Sequence, residues 1–188
     1  MNESSPSGPT LTREAILDAL AELNRELAGR GVAGEICIFG GASMVLAFNA
    51  RLATKDVDAI FQPAALVREL AAEIAKSRNL PEHWLNDGVK GFFSPRHETF
   101  AGNLPQFSNL CVTMPVPEYL LAMKCLASRI GATGGEADDT DDIVFLIRQL
   151  NLKTPQAVMD IVSAYYPANR IPMKAQFLVE SLFEEGRL

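Results

Sequence analysis

The sequence has little cysteine and no long apolar run. These two shortages argue against a disulfide-stabilised protein and against a membrane-spanning one. Only three of the 188 residues are cysteine, at the distant positions Cys37, Cys111 and Cys125. Each lies among apolar residues, so we expect buried free thiols in a reducing compartment rather than disulfides or metal ligands. No stretch approaches the roughly 18–20 apolar residues of a membrane span, and the polar start MNESSPSGPT does not resemble a signal peptide. These shortages predict a cytoplasmic protein with no membrane segment.

Positive charge is also scarce. The chain carries 17 Lys and Arg against 23 Asp and Glu, a formal net charge of −6 at pH 7. This balance argues against a broad basic surface for nucleic acid, although it leaves a local basic groove possible. The hydrophobic content of 48% and charged content of 21% are ordinary for a globular protein.

The order of apolar patterns along the chain predicts its organisation. Residues 1–9 are rich in Ser, Pro and Gly and predict a disordered tail. Helices are predicted over residues 12–30, 43–50, 63–77, 81–85, 117–129, 137–150, 155–165 and 172–184, and strands over residues 35–39, 55–61 and 109–114. The fold class is therefore α/β (α+β), with a small mixed sheet in a core over residues 10–115 and a helical C-terminal region, residues 116–188, packed on it.

Two aspartates in the 55–61 strand are the first candidates for chemistry. Successive side chains of a strand point to opposite faces, so Asp56 and Asp58 share one face and Val57 takes the other. Two adjacent carboxylates repel each other unless a cation or a raised pKa relieves them. A divalent metal is the usual solution and indicates phosphate chemistry. The alternative is a solvated strand edge that tolerates two acids.

A glycine pair precedes this strand. Gly40 and Gly41 follow an apolar strand and open a helix, with Ser43 in its first turn. Free N–H groups at a helix start bind phosphate, and the missing Cβ atoms allow a close approach. A tight strand-to-helix turn would explain the pair equally well. Together with the two aspartates, however, the pair predicts a site for a nucleoside triphosphate and Mg²⁺.

Charged residues in the second half suggest a further part of the site. Lys124 lies in a predicted helix among apolar and small residues, so it must either reach out to solvent or meet an anion. That anion could be a nucleotide phosphate, or it could be Asp139 or Asp142, which share a face of the next helix. Asp138 and Asp141 belong to the same cluster, and the dipole of a helix start favours such negative charge.

The glycine pair, a short helix and the Asp-Val-Asp strand resemble the signature of the DNA polymerase β-like nucleotidyltransferase superfamily. The resemblance implies that Gly40, Gly41 and Ser43 hold a triphosphate while the strand's two acids bind Mg²⁺. Arg51 and Thr54 match the R-x-x-T lead-in of one bacterial branch, which implies that they contact the nucleotide too.

The second half resembles one branch of that superfamily. LLAMKCLASR (residues 120–129) and DDTDDIVFLIRQL (residues 138–150) are similar to the K…R…D-x-x-D-h-x-x-L pattern of AbiEii-type toxins of bacterial type IV toxin–antitoxin pairs. WLND (residues 84–87) resembles smaller nucleotidyltransferase-like relatives. The resemblance implies that an NTP donates its NMP to a tRNA, a protein or a small molecule, and that a cognate antitoxin accompanies the chain. It also implies that Lys124 neutralises the triphosphate and that Asp139 or Asp142 orients the acceptor or acts as base.

One departure from the superfamily keeps other functions open. Many of its members place a third metal-binding acid on a later strand, and the predicted strand at residues 109–114 has none. The third acid would then be Asp139 or Asp142, or it would be missing. The alternatives are a degenerate, non-catalytic module that binds nucleotide or a partner, and an antibiotic-type small-molecule nucleotidyltransferase, which the short chain disfavours.

Overall fold

A computed structural model describes residues 10–94, 96–128 and 139–188. The predicted tail at residues 1–9 and the glycine-rich connection after the 117–129 helix lie outside these residues. The described parts confirm the mixed α/β class, with seven α-helices, a five-stranded mixed sheet and a two-stranded sheet. None of their helices has the length and apolarity that a membrane crossing requires.

Strands and helices are interspersed as far as residue 115, and helices alone follow in the described residues after it. In chain order the elements are β1 (Leu11–Thr12), α1 (Arg13–Gly29), β2 (Gly34–Ile38), α2 (Gly40–Leu46), β3 (Ala53–Thr54), β4 (Val57–Gln62), α3 (Ala64–Arg78), β5 (Leu85–Asn86), β6 (Thr99–Phe100), β7 (Leu110–Pro115), α4 (Pro117–Ala127), α5 (Asp139–Gln149), α6 (Pro155–Tyr165) and α7 (Met173–Glu184). A 3-10 helix, Gly88–Phe92, follows β5, and a second, Ala168–Arg170, precedes α7.

The chain divides into two compact units. The first comprises residues 10–89 with Ala101–Met114, and the second comprises Lys90–Phe100 with Pro115–Leu188. The predicted boundary after residue 115 lies next to the division after Met114. Residues 90–100, which the sequence pattern assigned to the sheet core, are grouped with the helices.

The first unit is built on four strands in the order β5–β4–β2–β7. β2 pairs antiparallel with β4 and parallel with β7, and β4 pairs parallel with β5. The other sheet is the antiparallel pair of β1 and β3. One face of the large sheet is buried in a core that also contains an apolar stripe of α1, Ile16, Leu20, Leu23 and Leu27. The sheet therefore has one core face and one partly open face.

In the second unit, α4 is the central helix, since it contacts α5, α6 and α7. Its residues from Tyr119 to Leu126 are all buried. Tyr165 and Tyr166 are buried as well, and the Tyr165 ring stacks on the Tyr119 ring at a centroid distance of 4.9 Å. This tyrosine pair thus packs among the C-terminal helices.

Three local predictions are wrong. The second helix spans Gly40–Leu46 rather than residues 43–50: the glycine pair lies in its first turn, and Asn49 adopts a left-handed φ of +51° after its end. Residues 81–85 form no helix: Leu85 pairs with Val57 in the sheet. Cys111 is exposed rather than buried, because the alternation of β7 turns it away from the core.

Candidate functional site

The two aspartates lie at the start of β4. Val57, Ala59 and Phe61 are buried, whereas Asp58 and Ile60 are partly exposed. Asp56 directly precedes the strand and is also partly exposed. Asp58 thus lies on the open face of the sheet, and in an extended chain the Cα atoms of residues two apart are roughly 6–7 Å from each other.

Gly40 lies against one of these aspartates. A Cβ atom at Gly40 would come 2.9 Å from Asp58 Oδ2, a separation that real Cβ contacts essentially never show. The positive φ of Gly40 disfavours any L side chain as well. Phe39 N donates to the Asp58 carbonyl oxygen at 2.8 Å, so the turn after β2 is joined directly to the acid strand.

Gly41 lies against the two other residues predicted to contact nucleotide. A Cβ atom at Gly41 would come 2.6 Å from Thr54 Oγ1 and 3.7 Å from Arg51 Nη1. Thr54 is held there by the pairing of β3 with Leu11 of β1. The turn therefore has the Asp58 carboxylate next to Gly40, and a hydroxyl and a guanidinium next to Gly41.

Ser43 is placed differently from the other predicted phosphate-binding residues. Its side chain is fully buried, and its hydroxyl donates to the Ile38 carbonyl oxygen at 2.7 Å. This hydrogen bond joins the first turn of α2 to the end of β2. Ser43 therefore stabilises the turn that presents Gly40 and Gly41.

Asn86 is a member of this group that sequence reasoning missed. It is paired in register with Asp58, and its Nδ2 donates to Asp56 Oδ2 at 3.0 Å. Its Oδ1 accepts a hydrogen bond from Gly88 N at 2.9 Å. The WLND motif contains Asn86, but its contact with Asp56 joins residues 30 positions apart, which no local pattern indicates.

The remaining predicted residues belong to the second unit. Lys124 Nζ lies 2.5 Å from Asp142 Oδ2, and their side chains are only 7% and 2% exposed. Of the anions expected for Lys124, the structure pairs it with Asp142. Asp141 instead makes an exposed ion pair with Arg187 at 2.8 Å. Asp138 and the side chain of Asp139 lie outside the described part of the chain.

Burial affects the acidity of one aspartate in the first unit. The pKa of Asp56 is raised above its ordinary value mainly because burial disfavours the charged form, while the Asn86 hydrogen bond and the Lys55 charge act in the opposite direction. A group whose pKa is raised by folding stabilises the protein at pH values below its unfolded pKa. That contribution is lost as the pH rises through the folded pKa.

We therefore expect Asp56→Asn to raise the melting temperature at pH 7 in the presence of EDTA. The gain should vanish near pH 3.5, below the usual aspartate pKa of about 3.9, where the wild-type carboxyl is also neutral. Thermal unfolding at both pH values measures this difference. Asp18→Asn, on an exposed face of α1, is the control, and an equal gain for Asp56→Asn at both pH values would contradict the assignment.

The two aspartates suit a magnesium ion whose remaining ligands are water and phosphate oxygens. The described residues contain no group of three or more His, Cys, Asp or Glu side chains that could enclose a metal. Mg²⁺ does not need such a group, because it commonly uses one or two carboxylates and completes its shell with phosphate oxygens and water. A bound cation would stabilise the charged form of Asp56 and so offset the effect of its burial.

Comparisons of the chain with protein-family models, curated proteins and solved structures found no match. The resemblance to polymerase β-like nucleotidyltransferases thus remains a hypothesis based on short motifs, and the assignment of a function depends on the geometry of the site.

Proposed function

We propose that this chain is a Mg²⁺-dependent nucleotidyltransferase that moves an NMP from an NTP to an acceptor hydroxyl or phosphate. One observation carries the proposal: both glycines of the β2–α2 turn are in close contact with the segment that bears the aspartates. Gly40 lies against Asp58, and Gly41 lies against Thr54 and Arg51. A structural turn alone would not require a carboxylate, a hydroxyl and a guanidinium around two side-chain-free positions.

Each group of residues has its own part in the proposed reaction. The backbone at Gly40 and Gly41 admits the triphosphate, and the Arg51 guanidinium supplies positive charge beside it. Asp56 and Asp58 hold Mg²⁺, which when bound neutralises charge on the attacking and leaving oxygens. Holding the reactants in line in this way supplies much of the rate enhancement in phosphoryl transfer.

For Lys124 and Asp142 we favour a stabilising role. Asp142 already balances the Lys124 charge inside the helical unit, which weakens the case for Lys124 as a triphosphate ligand. The acceptor is a tRNA, a protein or a small molecule, and the net charge of −6 weighs against RNA. The motif resemblance supports a biological role as a cytoplasmic toxin that is paired with a cognate antitoxin.

Transfer of α-phosphate label tests the activity. Purified protein is incubated with Mg²⁺, total RNA or cell lysate, and each NTP labelled at either the α- or the γ-phosphate. We expect label to reach an acceptor only from the α-position, because NMP transfer releases pyrophosphate. Asp56→Asn and Asp58→Asn should each lower transfer by at least about 100-fold, while Asp18→Asn retains it. Transfer that survives both site substitutions would contradict the proposal.

A non-catalytic nucleotide-binding module is the second candidate. It is favoured by the absence, within the described residues, of a third carboxylate beside Asp56 and Asp58. Saturable, Mg²⁺-dependent NTP binding with no transfer to any acceptor would support this module. Failure of both transfer and metal-dependent nucleotide binding would overturn both candidates.

A further inference from the structure

Asn86 makes two hydrogen bonds that together set the direction of its amide. Its Oδ1 accepts from Gly88 N at 2.9 Å, and its Nδ2 donates to Asp56 Oδ2 at 3.0 Å. A backbone N–H can only donate, so the oxygen of the amide must face Gly88. The amide nitrogen then has to face Asp56, and a flipped amide would lose both bonds.

This arrangement limits the rotation of one carboxylate. A hydrogen bond from Nδ2 occupies Asp56 Oδ2 and favours the ionised form of the group. The neighbouring acid is held at the same level of the sheet, because Asp58 is the register partner of Asn86. β5 therefore contacts both acids: the Asn86 side chain bonds to Asp56, and the Asn86 backbone is in register with Asp58.

Gly88 has no Cβ atom, and this leaves room for the Asn86 amide. A Cβ atom at Gly88 would come 3.1 Å from Asn86 Oδ1 and 4.0 Å from Asp58 Oδ1. A contact of 3.1 Å is tighter than nine in ten real Cβ contacts, so a side chain there would push on the amide. Glycine at this exposed position leaves the amide undisturbed.

We infer that Asn86 is a positioning residue that holds the Asp56 carboxylate in the orientation required to bind a divalent cation. The inference rests on the proposed function for the choice of ion and for the role of Asp56. Partners that orient metal ligands typically contribute about 10–100-fold to metal affinity. Asn86 itself touches neither ion nor substrate.

Titration with Mn²⁺, followed by the electron paramagnetic resonance signal of the free ion, tests the inference without any turnover. We expect Asp56→Asn to abolish binding and Asn86→Ala to weaken it by about 10-fold. Asn24→Ala is the matched control, because Asn24 Oδ1 also accepts a hydrogen bond from a backbone N–H, that of Asn109, at 2.8 Å. Equal Mn²⁺ affinity of Asn86→Ala and wild type, or an equal loss in Asn24→Ala, would overturn the inference.

A second variant covers the case in which Asn86→Ala does not fold. Gly88→Ala keeps the amide but crowds its oxygen, so we expect weaker Mn²⁺ binding in the same direction. Gly91→Ala is its control, since Gly91 lies in the same 3-10 helix and a Cβ there would meet nothing within 4 Å. Unchanged Mn²⁺ affinity of Gly88→Ala would count against the inference.

The outcomes separate this inference from the proposed function. A wild-type protein that binds Mn²⁺ through Asp56 but transfers no label would contradict the transferase alone. In an active enzyme, Asn86→Ala should need more Mg²⁺ for its half-maximal rate and regain the wild-type rate at saturating Mg²⁺. Activity that more Mg²⁺ does not restore, or a wild type that binds no Mn²⁺ at millimolar concentration, would contradict the positioning role.

Discussion

Lys124→Met is expected to lower the free energy of unfolding by about 3–5 kcal/mol, the largest stability effect that we anticipate for this chain. The substitution keeps most of the side-chain volume but removes the charge that faces Asp142 at 2.5 Å. Asp142 is only 2% exposed, so its carboxylate would lose a close cation in a place that little water reaches. Urea unfolding of the wild type and the variant measures the difference.

An exposed ion pair made by Asp141, the neighbour of Asp142 in α5, is the matched control. Asp141 and Arg187 lie 2.8 Å apart, with side chains 70% and 39% exposed. Because water screens such a pair, Asp141→Asn should change the free energy of unfolding by no more than about 1 kcal/mol. If the Asp141 and Lys124 variants lost equal stability, burial would not be the cause.

The double variant Lys124→Met, Asp142→Val separates structure from catalysis. Replacing a whole buried ion pair by apolar residues of similar volume is often neutral or stabilising, so much of the lost stability should return. If the pair only stabilises the helices, label transfer returns with it. A stable double variant that transfers no label would instead show that Lys124 or Asp142 acts in the reaction, as the toxin-like motif implies.

Gly40→Ala is expected to lower nucleotide transfer by about 100-fold, which is the usual cost of misplacing reacting groups by about 1 Å. The new Cβ would come 2.9 Å from Asp58 Oδ2, so either the turn or the carboxylate must move. The left-handed conformation adds roughly 1–2 kcal/mol of strain for an L residue. Transfer assays and Mg²⁺-dependent nucleotide binding report the loss.

Gly29→Ala is the control for this substitution. Gly29 ends α1, lacks a positive φ, and a Cβ there would meet nothing within 4 Å. We expect it to be neutral or slightly stabilising, because alanine favours helix more than glycine does. A Gly40→Ala variant that folds and transfers label at the wild-type rate would remove the main support for the proposed site.

Much of the local structure follows from local rules. α1 begins as expected, with the Thr12 hydroxyl accepting a hydrogen bond from Ala15 N at 3.3 Å, and the chain leaves it at Gly31, which has φ +65°. α6 occupies the predicted residues 155–165. Capping and helical periodicity act over a few residues, so one sequence suffices to detect them.

Weak local signals account for the errors. β5 is only two residues long and exists because Leu85 and Asn86 pair with β4, while Trp84 is buried and donates to the Ala71 carbonyl oxygen at 2.9 Å. Such a short strand has no periodicity of its own. Pro81, the first residue of the predicted helix, is followed only by a turn.

The sequence by itself predicted that Asp56 and Asp58 share a face, since the two-residue repeat of a strand is a local property of the backbone. It also showed a glycine pair, Gly40 and Gly41, before these aspartates at the predicted start of a helix. Only the tertiary structure decided which side chains meet these groups: Arg51 and Thr54 beside Gly41, and Asn86 beside Asp56. In the other unit it paired Lys124 with Asp142. These contacts join different elements, and their geometry depends on how the elements pack rather than on any spacing along the chain.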